Sequence, residues 1–221
     1  MPNWCYNKLT VSSEDEYKIK CFLFENKENN DQLIDFNKIC QLPKELEIDN
    51  NDENTKKKLL KKYGSDNWYD WCNTNWGSKW NASDTEIDME DNKITYIFFT
   101  PWGPPREWFM KLINKYTNLE IQLNYEEPGC DFAGFLSYTE GDFTEESYEL
   151  STYIWEKCNK DIVKKAIIQE VNDYKSYMTD SHEENVSNIT DNIIDTLSDD
   201  IENSSAIYDK ISEIISKLLL S

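Results

Sequence analysis

Four of the chain's eight tryptophans, Trp68, Trp71, Trp76 and Trp80, fall within 13 residues of the stretch WYDWCNTNWGSKWNA. An indole is large and apolar and carries one N–H donor. Each ring must therefore be packed with its donor satisfied, or be shown to something outside. Such a block admits two structures. In one, the rings fix a corner of the core and cover a sheet face, with Gly77 permitting the turn. In the other, Trp68, Trp76 and Trp80, with Trp102 further along, line a pocket that stacks a base or nucleotide. Lys79 and Arg106 then meet its phosphate.

The elements around the block follow from periodicity. Cys5 to Ser12 alternates and predicts a first strand. Ser13 is an N-cap candidate with Glu16 three residues on. The helix it opens runs to about Glu25, with Tyr17, Cys21 and Phe24 on one face. Phe36 to Leu42 is a short apolar run, a strand or an ordered loop, ended by Pro43. Thr55 to Tyr63 has helical spacing and Gly64 is a fitting stop. After the tryptophan block, Ala82–Met89 and Lys93–Thr100 make a hairpin about a short polar turn. Pro104 and Pro105 open a helix that buries Trp108, Phe109, Leu112 and Ile113. Leu119–Tyr125 and Cys130–Tyr138 are strands about the turn at Pro128-Gly129. Strands and helices mix without a doubly wound repeat. The order predicts an α+β domain over residues 1–149, with a mixed or antiparallel sheet of ferredoxin-like, split βαβ type and helices on one face.

Residues 150–221 differ. Gly and Pro are absent there. Ile162, Ala166, Val171, Tyr174 and Met178 lie at roughly helical spacing, as do Val186, Ile189, Ile193, Leu197 and Ile201, and then Ile207, Ile211, Ile214, Ile215 and Leu218. The segment predicts an acidic helical extension whose apolar stripes require a partner: the first domain, another copy, or a target protein. A homo-oligomer through these helices is one expectation.

The formal charge is −20. From Glu140 onward, 19 acidic residues face 7 basic ones. A broad basic surface for phosphate backbones is excluded, so direct nucleic-acid binding is not expected. Acidity fits solubility, a basic protein partner, or mimicry of nucleic-acid charge. The six cysteines form no CxxC pair, the first residues lack an apolar signal core, and no run of about 18 apolar residues spans a bilayer. These features predict a cytoplasmic protein with free thiols and no membrane contact. The only histidine, His182, stands in no catalytic motif, and phosphate-loop glycine patterns are absent. No catalytic residue, metal site or cofactor is expected. Acidic pairs such as Glu126-Glu127 are common in a chain with 43 carboxylates.

Four blocks carry a resemblance. MPNWCYNKLTV, WYDWCNTNWGSKW, FFTPWGPP and YEEPGCDFAG match in order the MPNWC-x-N, WYDW-x-x-x-NWG-[TS]-KW, F-x-T-x-W-x-PP and Y-x-E-x-G-x-x-F-x-G blocks of the YubB-type ferredoxin-like domain family of phage, prophage and plasmid proteins. They span Met1 to about Gly134. The resemblance implies the ferredoxin-like topology and a mobile-element origin, and it implies no catalytic residues. Together with the charge, it leads to the expectation of a non-enzymatic inhibitor of a host defence system, of anti-CRISPR type. Its acidic surface (Asp191, Asp195, Asp199, Asp200 and Glu202) would occupy the basic channel of a defence nuclease. The alternatives are a nucleotide or small-ligand module built on the tryptophan block, and a structural protein whose tail oligomerises.

Overall fold

The computed structural model of the chain describes residues 2–28, 32–48, 52–158, 160–198 and 204–220. The chain divides into two compact units, Met1–Ser147 and Tyr148–Ser221. The first contains β1 (Trp4–Ser12), α1 (Glu16–Asn26), α2 (Glu53–Tyr63), α3 (Trp68–Trp76), β2 (Ser83–Glu90), β3 (Lys93–Pro101), α4 (Arg106–Lys115), β4 (Glu120–Glu127) and β5 (Phe132–Thr139). β6 (Asp142–Glu149) runs two residues past Ser147. The sheet runs β2-β3-β1-β4-β5-β6. β1 is antiparallel to both β3 and β4, and β3 lies between β1 and β2. That is the ferredoxin-like split βαβ order. β5 and β6 extend it past β4.

Alternation along β1 decides what each face carries. Cys5, Asn7, Leu9 and Val11 are buried, while Trp4 and Lys8 are exposed. The register sets Leu9 between Tyr96 and Leu123, and Val11 between Ile94 and Ile121. Trp108, Phe109, Leu112 and Ile113 of α4 and Ile19 and Phe22 of α1 complete this layer. Each of these large side chains contributes about 2–3 kcal/mol on leaving water. The opposite face carries Trp4, Tyr6, Lys8 and Thr10 of β1, level with Pro101, Phe99, Ile97 and Thr95 of β3.

Three local elements depart from the periodicity. α1 buries Ile19, Phe22 and Asn26, and leaves Tyr17 and Phe24 exposed at 73% and 78%. Its sequence EYKIKCFLFEN is apolar around much of its circumference, so two stripes compete. The Asn26 amide, donating to the Phe22 carbonyl and the Tyr116 hydroxyl at 2.8 Å each, goes with the buried stripe. Its cap is Asp15, which accepts from the Tyr17 N–H at 3.0 Å, while Ser13, two residues earlier, accepts the Asp15 N–H at 3.2 Å. Phe36–Lys38 is a single 3-10 turn capped by Asp35 rather than a strand. The tryptophan block contains a helix, α3, capped by Asn67 and ended by Gly77 at φ +76°.

The second unit holds α5 (Leu150–Lys157), α6 (Lys160–Tyr174), α7 (His182–Leu197) and α8 (Tyr208–Leu219). The stripe Val186, Ile189, Ile193 and Leu197 is buried, and α7 packs on α6 and α8. α6 buries Val163, Ala166 and Ile167, a stripe rotated from Ile162 and Val171, and Met178 lies past its end. Ile201 lies outside the described residues. Among the described residues no helix is long and apolar enough to cross a membrane.

Candidate functional site

β1 begins at Trp4, opposite Pro101 near the end of β3, and Tyr6 lies opposite Glu126 near the end of β4. One end of the sheet therefore gathers residues distant in sequence. The Trp102 N–H donates to the Asn3 carbonyl at 2.9 Å. The Asn3 amide reaches the Glu127 carboxylate at 3.5 Å and Cys130 Sγ at 3.3 Å. Glu127 is buried, and its other oxygen accepts the Gly129 N–H at 2.9 Å. Gly77 packs on the start of α4: a Cβ there would meet Oε2 of Glu107 and lie 2.9 Å from the Arg106 backbone nitrogen. Asn3, Gly77, Trp102 and Glu127 come from the four sequence blocks in turn, so the blocks converge on this corner.

The tryptophans divide by the fate of the indole. Trp76 is buried, donates Nε1–H to the Cys40 carbonyl at 2.8 Å, and meets Phe36 and Trp71 edge-on at 5.8 and 5.9 Å. Its donor is satisfied within the core, so it is a packing residue and not a stacking platform. Trp71 is also buried, and Trp68 is half-buried beside Tyr69. Arg106 is committed as well: Nε and Nη2 grip the Glu145 carboxylate at 2.8 and 2.7 Å, tying α4 to β6. The six-residue phosphate-meeting pocket is thus corrected, because Trp76 and Arg106 serve the fold. Of that set, Trp80 and Trp102 are exposed at 41% and 54%, and Lys79 sits over the Trp80 ring, 3.8 Å from its centroid.

Trp4, passed over in the sequence, joins them. It is 40% exposed, and its ring lies 5.9 Å from that of Trp80. The signal was present in the alternation: a residue one step out of phase with Cys5 belongs to the face away from the helices. Trp102 has a second distinction, a left-handed backbone at φ +72°. For a bulky residue this costs about 1–3 kcal/mol, and strain of this kind clusters at functional positions.

Residues 76–162 match the family model of the ferredoxin-like domain in Api92-like protein. The match starts at Trp76 and takes in the FFTPWGPP and YEEPGCDFAG blocks, and the MPNWC block lies before it. A solved structure, protein api92 from Yersinia pseudotuberculosis, is similar at 12% identity and a TM-score of 0.43, covering 67% of this chain and 98% of that one. No curated protein matches the chain.

The acidic candidates lie in the second unit. Asp191 and Asp195 are exposed on α7, one turn apart, and Glu184 falls on the same stripe. Asp199, Asp200 and Glu202 lie outside the described residues. His182 Nε2 lies 3.1 Å from the Ser216 hydroxyl, at the junction of α7 and α8. All six cysteines are free. Burial, then the nearby Glu127 carboxylate, pushes the Cys5 thiol up to about 12, and burial does the same to Cys72. A thiol so far from ionisation is a packing group, not a nucleophile at neutral pH.

Proposed function

We propose that the protein is a non-enzymatic binding protein that engages a basic, nucleic-acid-handling protein. In its sharper form, it is a phage- or mobile-element-encoded inhibitor of a host defence nuclease, of anti-CRISPR type. The observation that carries this reading is the exposed carboxylate stripe on α7, in a chain of net charge −20. Asp191 and Asp195 stand one helical turn, about 5–6 Å, apart. That is close to the phosphate spacing along one nucleic-acid strand. Their outward placement leaves the buried Ile189 and Ile193 to hold the helix. Carboxylates on a fixed rod complement a basic channel at little ordering cost.

The test is displacement. Increasing protein is added to a labelled DNA duplex bound to each of a panel of defence nucleases, and released DNA is read by anisotropy. Release by the wild type, weakened at least about tenfold by Asp191→Lys with Asp195→Lys, is the expected result. If no nuclease in the panel releases its DNA, the inhibitor reading is wrong.

The exposed Trp4, Trp80 and Trp102 favour a second reading, a small-ligand module at the sheet corner. Tryptophan quenching by mononucleotides or cyclic oligonucleotides at micromolar concentration would support it.

A further inference from the structure

The sheet corner has a feature that the inhibitor reading leaves unused. Three indoles are exposed there, although the same unit buries Trp71, Trp76 and Trp108. One of the three, Trp102, is held in a strained backbone. Exposed apolar surface concentrated at one place marks an interaction site, whereas single exposed rings scattered over a surface do not.

Charge decides what such a site receives. Along β2, Glu86 lies opposite Ile97 and Asp88 opposite Thr95. Ile97 and Thr95 belong to the face of β3 that carries Phe99, which meets Tyr6 edge-on at 5.8 Å. Glu86 and Asp88 therefore stand on the aromatic face, and both are exposed. The third carboxylate of that row, Glu90, is paired with Lys93 at 2.7 Å. An anionic ligand stacked on the rings would run along this acidic border in a protein of charge −20. A cation would find both of its preferred partners, ring faces and carboxylates. The chain itself shows the first, since the Lys79 ammonium already sits on Trp80.

We propose that Trp4, Trp80 and Trp102, with Phe99, Glu86 and Asp88, form a docking surface for an extended, arginine-bearing segment of a basic protein. The proposal rests on the binding-protein reading above only for the basic character of the partner. Guanidinium planes stack on the indoles, because arginine is weakly hydrated and planar where lysine is neither. Neighbouring cations pair with Glu86 and Asp88 on the β2 flank. From Trp4 to Lys8 the strand spans about 13 Å, room for about four extended residues of a partner.

The experiment titrates the intact chain by calorimetry with octa-arginine, octa-lysine and a deoxythymidine 12-mer. Four proteins are compared: wild type, Trp102→Ala, Glu86→Lys with Asp88→Lys, and Asp191→Lys with Asp195→Lys. Far-UV melting checks that each is folded, and all the replaced positions are exposed, so a loss of binding is not a loss of fold. The expected result is octa-arginine binding several-fold tighter than octa-lysine, with no binding of the 12-mer. Trp102→Ala and the β2 double variant each weaken it about tenfold, and the α7 double variant changes it less than about threefold. Trp102→Ala leaves the charge untouched. If that variant binds octa-arginine as the wild type does, the attraction is general electrostatics and the surface is wrong. Binding of the 12-mer in place of octa-arginine overturns the proposal in favour of a base-stacking platform.

The two proposals fail separately. Nuclease displacement that survives Trp102→Ala and is lost in the α7 double variant overturns the docking surface and leaves the inhibitor standing. Arginine binding that depends on Trp102, with no nuclease displaced, supports the docking surface and removes the inhibitor.

Discussion

Gly64 and Gly77 each end a helix, and each has φ of +76°. They differ in surroundings. A Cβ on Gly64 has nothing within 4 Å, whereas one on Gly77 meets the Glu107 carboxylate and lies 2.9 Å from the Arg106 backbone nitrogen. Gly64→Ala therefore measures the backbone cost alone, about 1 kcal/mol for an L-residue held left-handed. Gly77→Ala adds a collision. The Glu107 side chain swings away cheaply, but the Arg106 nitrogen belongs to α4, which is anchored by the fully buried Trp108, Phe109 and Leu112. To restore ordinary contact, α4 must retreat by about 0.5 Å, and overpacking of this kind costs about 1–3 kcal/mol. The expected total is about 2–4 kcal/mol for Gly77→Ala against about 1 for Gly64→Ala. Urea unfolding followed by tryptophan emission is the assay, because seven of the eight tryptophans lie within Met1–Ser147. In a melt the excess appears as a further drop of several degrees. Equal losses for the two substitutions would refute the close approach of α3 to α4, and with it the corner as a rigid construction.

Tyr96 is fully buried, which pushes its phenol well up, and among the described residues its hydroxyl has no hydrogen-bond partner. Tyr96→Phe removes an unsatisfied group; stability should hold or rise by up to about 2 kcal/mol, and a clear loss in urea would contradict the packing. Hydrogen bonds from Arg106 hold the Glu145 carboxyl below its usual range. The folded value is the lower one, so the pair's contribution is complete above about pH 4.3 and is lost as pH falls through the folded value. Both side chains are a third or more exposed, which limits the contribution to about 0.5–1 kcal/mol. The stability gap to Glu145→Gln should be present at pH 7 and vanish in acid; a gap independent of pH would exclude the ion pair as its cause. Of the six thiols, the exposed Cys130 should react first with a disulfide reagent, and the buried Cys5 and Cys72 only on unfolding. Persistence of the fast phase in Cys130→Ser would contradict this.

Much of the sheet was legible because its strands obey a period of two. Val11, Ile94 and Leu123 announce a buried face, and Pro104-Pro105 announces the helix after it. β6 was not legible: in DFTEESYE the large apolar residues Phe143 and Tyr148 are five apart, which marks no face, and an edge strand needs no second apolar stripe. α3 left better traces. Trp68, Trp71, Cys72 and Trp76 follow helical spacing between the Asn67 cap and Gly77, but the density of indoles draws the eye to a pocket. The roles of Trp76 and Arg106 were not readable. Trp76 is a core residue because Cys40, 36 positions away, supplies a carbonyl for its N–H, and Arg106 is occupied because β6 brings Glu145 to it. Both facts are tertiary. The exposed Trp4 needed only the strand phase.

The position of β1 bears on how the sheet is made. It is an inner strand, and its partners begin at Lys93 and Glu120. At about 5–20 residues per second, a ribosome needs roughly 6–25 s to synthesise the span between β1 and the end of β4. Until β3 is complete Trp4–Ser12 has neither neighbour, and until β4 is complete one of its backbone edges stays open to any strand nearby. β3 closes one seam and β4 the other, so both seams of the central strand close late and by non-local pairing. Damage to β1 then acts on assembly before it acts on stability: slowed pairing lengthens the interval in which nascent chains pair with one another.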